Sequence, residues 1–171
     1  EAKIILEKEI GPKSYKDILF LSNPVAAASI AQVHFAKIKF KEGEKEVAIK
    51  ILRPNIHKLV NDELDALMFL AYIVESIFTK TKRLKLVEVI NLLKEITNVE
   101  MDLRFEAAAA SELRENTIND KGIKIPKIYW NYTSKEVMAL DKIDGIPIRE
   151  TKKLQELNVD LKKLSENLIQ T

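Results

Sequence analysis

A lysine, three acids and a loop of small residues are the parts of this 171-residue sequence that could perform chemistry. Lys50 ends the tetrapeptide Val47-Ala48-Ile49-Lys50, in which apolar side chains recur at every second position. This period is typical of a strand with one buried face, and it puts Lys50 on the face opposite Val47 and Ile49. A lysine there is either a solvated strand residue or a cation available to an anion such as a phosphate.

The three acids lie further along the chain, in a stretch with helical periodicity. Glu100 takes the position between Ile96 and Leu103 where an apolar residue is expected, and Glu106 lies in a neighbouring apolar stripe. Asp102 falls on a more polar side and by itself resembles a solvated residue. A buried acid on an apolar face requires a cation or metal nearby, and Lys50 is an available cation. The alternative is an exposed helix edge on which both glutamates are hydrated, and the pattern leaves open which of them pairs with Lys50.

The loop of small residues runs from Val25 to Ser29, between a polar turn at Ser22-Asn23-Pro24 and a β-rich stretch. Alanine lets a backbone approach a phosphate closely, but it restricts the conformations that glycine would allow. The loop is therefore either a stiff phosphate-binding loop or a packing turn.

Secondary-structure patterns indicate how these residues are positioned. A helix stopped by Gly11-Pro12 comes first, and a hairpin follows. Two helices joined by a basic linker, two more strands and a helical tail broken near Asn158 to Asp160 complete the chain. The predicted helices are Ala2–Ile10, Lys58–Phe78 and Leu86–Glu115, and the predicted strands are Ile30–Phe40, Glu46–Leu52, Ile125–Tyr132 and Glu136–Lys142.

Composition limits the function classes. Hydrophobic residues make up 46% and charged residues 32% of the chain, which is typical of a globular protein. The net charge of +2 does not favour a nucleic-acid partner, and the absence of cysteine excludes disulfides and thiolate chemistry. The basic stretch Lys80–Lys85 is read as a solvated linker rather than a nucleic-acid or lipid contact. His34 and His57 are read as structural or surface residues.

Four motifs together resemble the UbiB/AarF family of atypical protein-kinase-like proteins, called ADCK in animals. They are P-V-A-A-A-S-I-A-Q-V-H at 24–34, V-A-I-K-I-L-R-P at 47–54, E-M-D-L-R-F-E-A at 100–107 and I-D-G-I-P at 143–147. The resemblance implies an α+β, protein-kinase-like N-lobe over residues 1–142. In it, a small antiparallel sheet packs with a long αC-like helix and an added family helix. Residues 143–171 would form the hinge exit and the first helices of a truncated C-lobe.

The resemblance also implies a nucleotide site for ATP or ADP with Mg²⁺, whose metal ligands would lie outside this chain. Lys50 would bind the phosphates and Glu106 would hold it, while Glu100 and Asp102 would be the family's motif acids, facing the active site and engaging an N-terminal extension. The cofactor-binding residues implied in this way are Ala26, Ala27, Ala28, Ser29, Lys50, Glu106, Met138 and Leu140.

The function implied for the intact protein is that of an atypical kinase or ATPase supporting ubiquinone biosynthesis. If bacterial, it would act on the cytoplasmic face of the inner membrane. Its partners would be nucleotide, the missing C-lobe and N-terminal extension, ubiquinone-biosynthesis proteins and the membrane surface, with no nucleic acid. No K-x-G-Q, H-x-D…N or D-F-G motif occurs in the chain, which starts at Glu1, so we expect a fragment that is inactive by itself. The alternative is a non-catalytic helical interaction module from a split or degraded gene.

Overall fold

The computed structural model describes residues 1–120 and 122–170, and Lys121 and Thr171 lie outside the described residues. Within the described residues, four antiparallel strands form one sheet in the order β1-β2-β3-β4, flanked by helices, so the predicted α+β class is confirmed. The strands are β1 (Ile18–Ala27), β2 (Ala31–Phe40), β3 (Gly43–Leu52) and β4 (Val137–Asp141). The α-helices are α1 (Ala2–Lys16), α2 (Ile56–Ile77), α3 (Leu86–Glu100), α4 (Leu103–Asn116), α5 (Thr151–Glu156) and α6 (Leu161–Gln170).

Each face of the sheet has its own apolar core. Ala36 and Ile38 of β2 and the three alternating residues of β3, Val47, Ile49 and Ile51, are buried on one face, against Leu6 of α1. The other face packs on α4 through Ala107, and Met138 of β4 belongs to the same core. The strand pattern places Lys50 on this second face, as the alternation predicted.

The hairpin of β2 and β3 is regular along its whole length. Its pairs run from Ala31 with Leu52 to Phe40 with Gly43 at the turn, where Gly43 adopts a φ of +125°. Glycine tolerates this conformation because it has no Cβ, so the turn is tight and the register is fixed. Both predicted hairpin strands are confirmed.

The helix predicted over Ala2–Ile10 does stop at Gly11, where the chain leaves the helical conformation with a φ of +77° and a ψ of 161° before Pro12. A second helical stretch, which was not predicted, follows to Lys16, so α1 consists of two helices joined by a kink. The strand that comes next differs from the predictions. The turn predicted at Ser22–Pro24 and most of the loop at Val25–Ser29 instead belong to β1, whose pairing with β2 shifts near Pro24. A proline without an N–H is tolerated there because β1 is an edge strand.

Two further predictions were wrong. The helix predicted over Leu86–Glu115 is broken between α3 and α4, because the chain leaves the helical conformation at Met101 and Asp102. The strand predicted over Ile125–Tyr132 is reduced to one bridge between Ile128 and Leu140 and a 3₁₀ turn at Trp130–Tyr132. The break in the tail is confirmed: it lies between α5 and α6, where Asn158 has a φ of 51°.

The basic linker adopts a 3₁₀ helix over Thr79–Leu84 between α2 and α3. No helix among residues 1–120 and 122–170 has both the length and the apolar character needed to cross a bilayer. Residues 143–150 form neither helix nor strand, and the domain boundary placed between 142 and 143 stays a prediction.

Candidate functional site

Lys50 lies near the middle of the sheet, with strands on both sides. It is paired with Val33 of β2 and with Met138 of β4, and residues directly opposite each other share a face. The next row of pairs on the same face, two residues along β3, contains Phe35, Ala48 and Leu140. In these two rows of pairs, Lys50 is therefore the one charged residue among apolar side chains.

Glu106 of α4 holds this cation. Lys50 Nζ donates to Glu106 Oε2 at 2.6 Å, while the lysine side chain keeps 25% of its surface exposed. The glutamate side chain is 50% exposed, and a pair this accessible contributes little to stability. The main effect of the Lys50–Glu106 pair is to hold the Lys50 ammonium group at the sheet face while leaving it accessible to an anion.

The position of α4 explains how Glu106 reaches Lys50. The N–H of Leu103, the first residue of α4, donates to the Lys135 carbonyl at 2.9 Å, just before β4. Ala107 is fully buried and packs with Ala31 and Met138 under the sheet. These contacts place the first turn of α4, which contains Glu106, beneath the strand of Lys50.

The other two acids lie elsewhere. Glu100, the last residue of α3, is exposed, and its side chain makes no hydrogen bond or ion pair with another described residue. The apolar stripe that predicted a buried acid there is interrupted by the helix break, so Glu100 is hydrated. Thus the structure brings Glu106 to Lys50 and gives Glu100 no partner in the described part of the chain.

Asp102 is the N-cap of α4 and is buried, not solvated as its position in a continuous helix suggested. Its Oδ1 accepts from the backbone N–H of Arg104 at 3.1 Å and from Arg104 Nε at 2.9 Å, and its Oδ2 accepts from Arg104 Nη2 at 2.6 Å. The hydrogen bond from the guanidinium holds the pKa of Asp102 below its usual range. An Asp before a run of helix-forming residues is a known start signal, and it was the clue to this break.

The small-residue segment forms the end of β1 and the turn into β2. Ala26 and Ala27 belong to β1, and the Ala28 N–H donates to the Ala31 carbonyl at 2.8 Å across the turn that contains Ser29. All four residues from Ala26 to Ser29 are exposed. The turn therefore presents exposed backbone at the end of the hairpin that is closer to Lys50.

Arg53 fixes this turn and was not among the predicted site residues. Its Nε donates to the Ala28 carbonyl at 3.2 Å, and its backbone N–H donates to the Ile30 carbonyl at 2.9 Å. Arg53 directly follows β3, so one short segment carries both Lys50 and the residue that holds the turn. The signal available in the sequence was the position of Arg53 inside the V-A-I-K-I-L-R-P motif.

The predicted hinge residues border the same face. Met138 is buried in the core beneath the sheet, and Leu140 is half-buried beside it. Beyond β4, Lys142 Nζ lies 2.8 Å from Glu46 Oε2 and 5.1 Å from the ring centre of Phe35. The hydrogen bond with Glu46 raises the pKa of Lys142. This second cation at the edge of the site was not predicted, because it depends on the pairing of β3 with β4.

No three His, Cys, Asp or Glu side chains come together as metal ligands in the described ranges 1–120 and 122–170. His34 is buried with Nδ1 2.8 Å from the Ser22 carbonyl oxygen, so its ring donates to the backbone. His57 Nε2 lies 3.5 Å from Glu136 Oε1. These contacts fit the structural interpretation of both histidines.

Comparison with known proteins places the chain in a family. A family model described as "ABC1 atypical kinase-like domain" matches residues 1–171. The chain is similar to a "Probable protein kinase UbiB" of Histophilus somni (strain 129Pt), with 41% identity over 152 residues, covering 88% of the chain and 28% of the relative. A protein of the same name from Marinobacter nauticus is 39% identical over 167 residues, covering 97% of the chain and 30% of the relative. The chain thus spans less than a third of the length of these curated relatives.

Proposed function

The chain belongs to the ABC1 atypical kinase-like family, and from that premise we propose that it binds ATP or ADP, with Lys50 on the phosphates. The observation that carries this proposal is the 2.6 Å ion pair between Lys50 and Glu106 on an accessible sheet face. In protein kinases a strand lysine held by a helix glutamate contacts the nucleotide phosphates, and the same pairing is present in this chain.

The surroundings of Lys50 suit a nucleotide. Ala48 is small, and Val33 and Leu140 offer apolar side chains on the same face, which suits a flat purine ring. The turn at Ala28 and Ser29 offers backbone held in place by Arg53. A bound nucleotide would supply the transferable phosphoryl group, while these residues bind and orient it.

Mg²⁺ would neutralise charge on the phosphates, but the described residues gather no set of acids to hold it. We therefore assign its ligands to a part of the longer protein outside this chain. The chain also contains no H-x-D…N or D-F-G motif, which supply the base and metal ligands in kinases. We expect it to bind nucleotide weakly and to catalyse no phosphoryl transfer by itself.

For the intact protein we propose an atypical kinase or ATPase that supports ubiquinone biosynthesis at the cytoplasmic face of the inner membrane. The family membership and the bacterial relatives named UbiB support this assignment. Deleting the gene should lower cellular ubiquinone, and the protein should be found in the inner-membrane fraction. Normal ubiquinone in the deletion strain would refute the assignment.

Calorimetric titration of the chain with Mg-ATP and Mg-ADP tests nucleotide binding. Lys50→Met should abolish binding, and Glu106→Gln should weaken it, because the ammonium group loses its anchor. Lys37→Met is the matched control, since Lys37 is also a strand lysine in a 2.6 Å ion pair, with Glu44. If Lys50→Met binds as tightly as the wild type, or if Lys37→Met weakens binding equally, the proposal fails.

A second candidate function is a helical interaction module, and one observation favours it. Helices α2 and α3 expose large apolar side chains, among them Phe69, Tyr72, Leu92 and Ile96. Exposed apolar surface of this extent is typical of contact with another protein surface. Under this function, Phe69→Ser with Leu92→Ser would abolish association measured by light scattering, and the titration above would detect no nucleotide binding.

A further inference from the structure

A second concave site lies at the turn of the β2–β3 hairpin, with a volume of about 830 Å³. We propose that this hairpin pocket binds a small anionic molecule built on a planar aromatic ring, such as an aromatic carboxylate or phosphate. Its walls combine lysines with aromatic rings: Lys39, Lys41, Lys127, Phe40, Tyr129 and Trp130. The volume falls within the range typical of small-molecule sites, about 300–1,000 Å³.

The hairpin pocket is separate from the site around Lys50. Phe40 pairs with Gly43 at the turn, whereas Lys50 lies near the opposite end of the hairpin. Tyr129 also packs in the core that includes Leu6 of α1, on the sheet face directed away from Lys50. The inference therefore does not rest on the proposed nucleotide binding.

The aromatic walls are held in place before any ligand arrives. The ring of Phe40 lies 5.0 Å from that of Tyr129 and 5.6 Å from that of Tyr132, the latter edge to face. Tyr129 Oη donates to Asp141 Oδ1 at 2.5 Å, and Tyr132 Oη donates to Asp17 Oδ2 at 3.1 Å. Fixed rings lose little entropy on binding, and an aromatic ligand can stack or pack edge to face on them.

Trp130 extends this aromatic wall toward solvent. It is 49% exposed, although it sits between the buried residues Tyr129 and Tyr132. An indole exposed beside an aromatic cluster provides further surface on which a planar ligand can stack.

The charges around the pocket favour an anion. Its lining also contains Lys45 and two acids, Asp17 and Glu42. Both acids have partners: Asp17 accepts from Tyr132, and Glu42 Oε2 lies 3.9 Å from Lys45 Nζ. By contrast, the ammonium groups of the lysines at 39, 41 and 127 form no ion pair among residues 1–120 and 122–170. That of Lys127 lies 5.7 Å from the ring centre of Tyr129, and only its backbone N–H contacts an acid, Asp141.

The two tyrosines in the wall, Tyr129 and Tyr132, add no negative charge that would repel an anion. Burial, followed by the hydrogen bond to Asp141, raises the pKa of Tyr129 to about 12. Burial and the hydrogen bond to Asp17 raise the pKa of Tyr132 to about 12 as well. Both phenols therefore stay neutral at physiological pH, and the unpaired lysines set the sign of the site.

Trp130 also reports on the pocket directly, because it is the only tryptophan in the sequence. Its fluorescence is measured in the 171-residue chain at constant ionic strength during titration with four probes. Benzoate and phenyl phosphate carry both a ring and a charge, whereas benzyl alcohol lacks the charge and acetate lacks the ring. We expect saturable changes with the first two and binding at least about tenfold weaker with the last two, since each lacks one of the two recognised groups.

Variants then locate the binding. Lys41→Gln with Lys127→Gln should raise the Kd for benzoate about fivefold or more, because two exposed charge contacts are lost. Lys58→Gln removes an exposed lysine of α2 and should leave the Kd unchanged. Lys50→Met should also leave it unchanged, so this test is independent of the nucleotide proposal.

The inference would be overturned by no saturation with benzoate, by an equal response to all four probes, or by loss of the response in Lys50→Met. An unchanged Kd in the double lysine variant would overturn it as well. Circular dichroism checks that this variant is folded. If it is not folded, the comparison of benzoate with benzyl alcohol in the wild type still decides the question.

Discussion

Asp102 is predicted to stabilise the fold as a buried helix cap, although it belongs to a motif that the family resemblance places at the active site. Replacing an N-cap Asp by Ala costs about 0.5–2 kcal/mol in general. Asp102 is only 7% exposed and accepts a backbone N–H as well as two guanidinium hydrogen bonds. We therefore expect Asp102→Ala to lower the free energy of unfolding by about 1–2 kcal/mol, in the upper part of that range. For a chain of this length that corresponds to a fall in Tm of about 2–8 °C.

The variant Asp102→Asn distinguishes the contribution of the helix-capping hydrogen bond from that of the negative charge. Asparagine caps helices about as well as aspartate, so this variant should lose less stability than Asp102→Ala. Because the folded-state pKa of Asp102 lies below its ordinary value near 3.8, the charge stabilises the fold above that value and ceases to do so as the pH falls through the folded-state pKa. The difference in unfolding free energy between wild type and Asp102→Asn should therefore begin to shrink below about pH 4 and vanish once the pH lies below the folded-state pKa.

The assay is urea unfolding followed by circular dichroism at neutral and acidic pH. Asp160→Ala provides the matched control, because Asp160 caps α6 with two 3.0 Å hydrogen bonds but is exposed. It should cost less than Asp102→Ala. Equal losses for the two alanine variants, or an Asp102→Asn variant as unstable as Asp102→Ala at neutral pH, would refute the argument from the buried cap.

Three further predictions concern the buried Ile49, the ionisation of Tyr129 and Tyr132, and Arg53 at the turn between β1 and β2. Ile49→Ala should lower the free energy of unfolding by about 2–5 kcal/mol in urea unfolding because Ile49 is fully buried, whereas Ile77→Ala, at a position 65% exposed, should change it by about 0.5 kcal/mol or less. Absorbance titration should show two of the four tyrosines, Tyr129 and Tyr132, ionising near pH 12. Because both pKa values are raised in the folded state, stability should be retained below about pH 10 and fall above it, and all four tyrosines titrating near pH 10 in the folded protein would contradict this. Arg53→Gln should weaken Mg-ATP binding several-fold in calorimetry without changing Tm by more than a few degrees, and unchanged affinity would show that the turn does not contribute to binding.

Local patterns in the sequence were sufficient for the regular hairpin and for α2. Alternation of Val47, Ile49 and Ile51 predicted β3 because one face of that strand is buried and the other is not. The same reasoning missed β1, since a segment with Ser22, Asn23 and Pro24 has the composition of a turn. Pairing with β2 outweighs that composition, which is the usual way in which tertiary contacts override local preference.

The hairpin pocket could not be predicted from any local pattern. It depends on bringing residues 127–132 beside the turn of a hairpin formed much earlier in the chain. Periodicity predicted a strand over those residues, whereas the structure has a 3₁₀ turn at Trp130–Tyr132, and Tyr129, Trp130 and Tyr132 line the pocket together with Phe40. Long-range contacts of this kind leave no periodic signal in the sequence.

The break between α3 and α4 connects the fold to the candidate site. Apolar spacing continues across Met101 and Asp102, so periodicity alone predicts one helix and places Glu100 and Glu106 on similar faces. In the structure Met101 is fully buried, Asp102 caps the new helix, and the Leu103 N–H is tied to the carbonyl that precedes β4. A helix that restarts at this anchor has its first turn under the sheet, and Glu106 in that turn meets Lys50 while Glu100 remains in solvent. The motif aspartate therefore acts on the lysine site through the placement of α4, and its loss should disturb the Lys50–Glu106 pair without removing either partner.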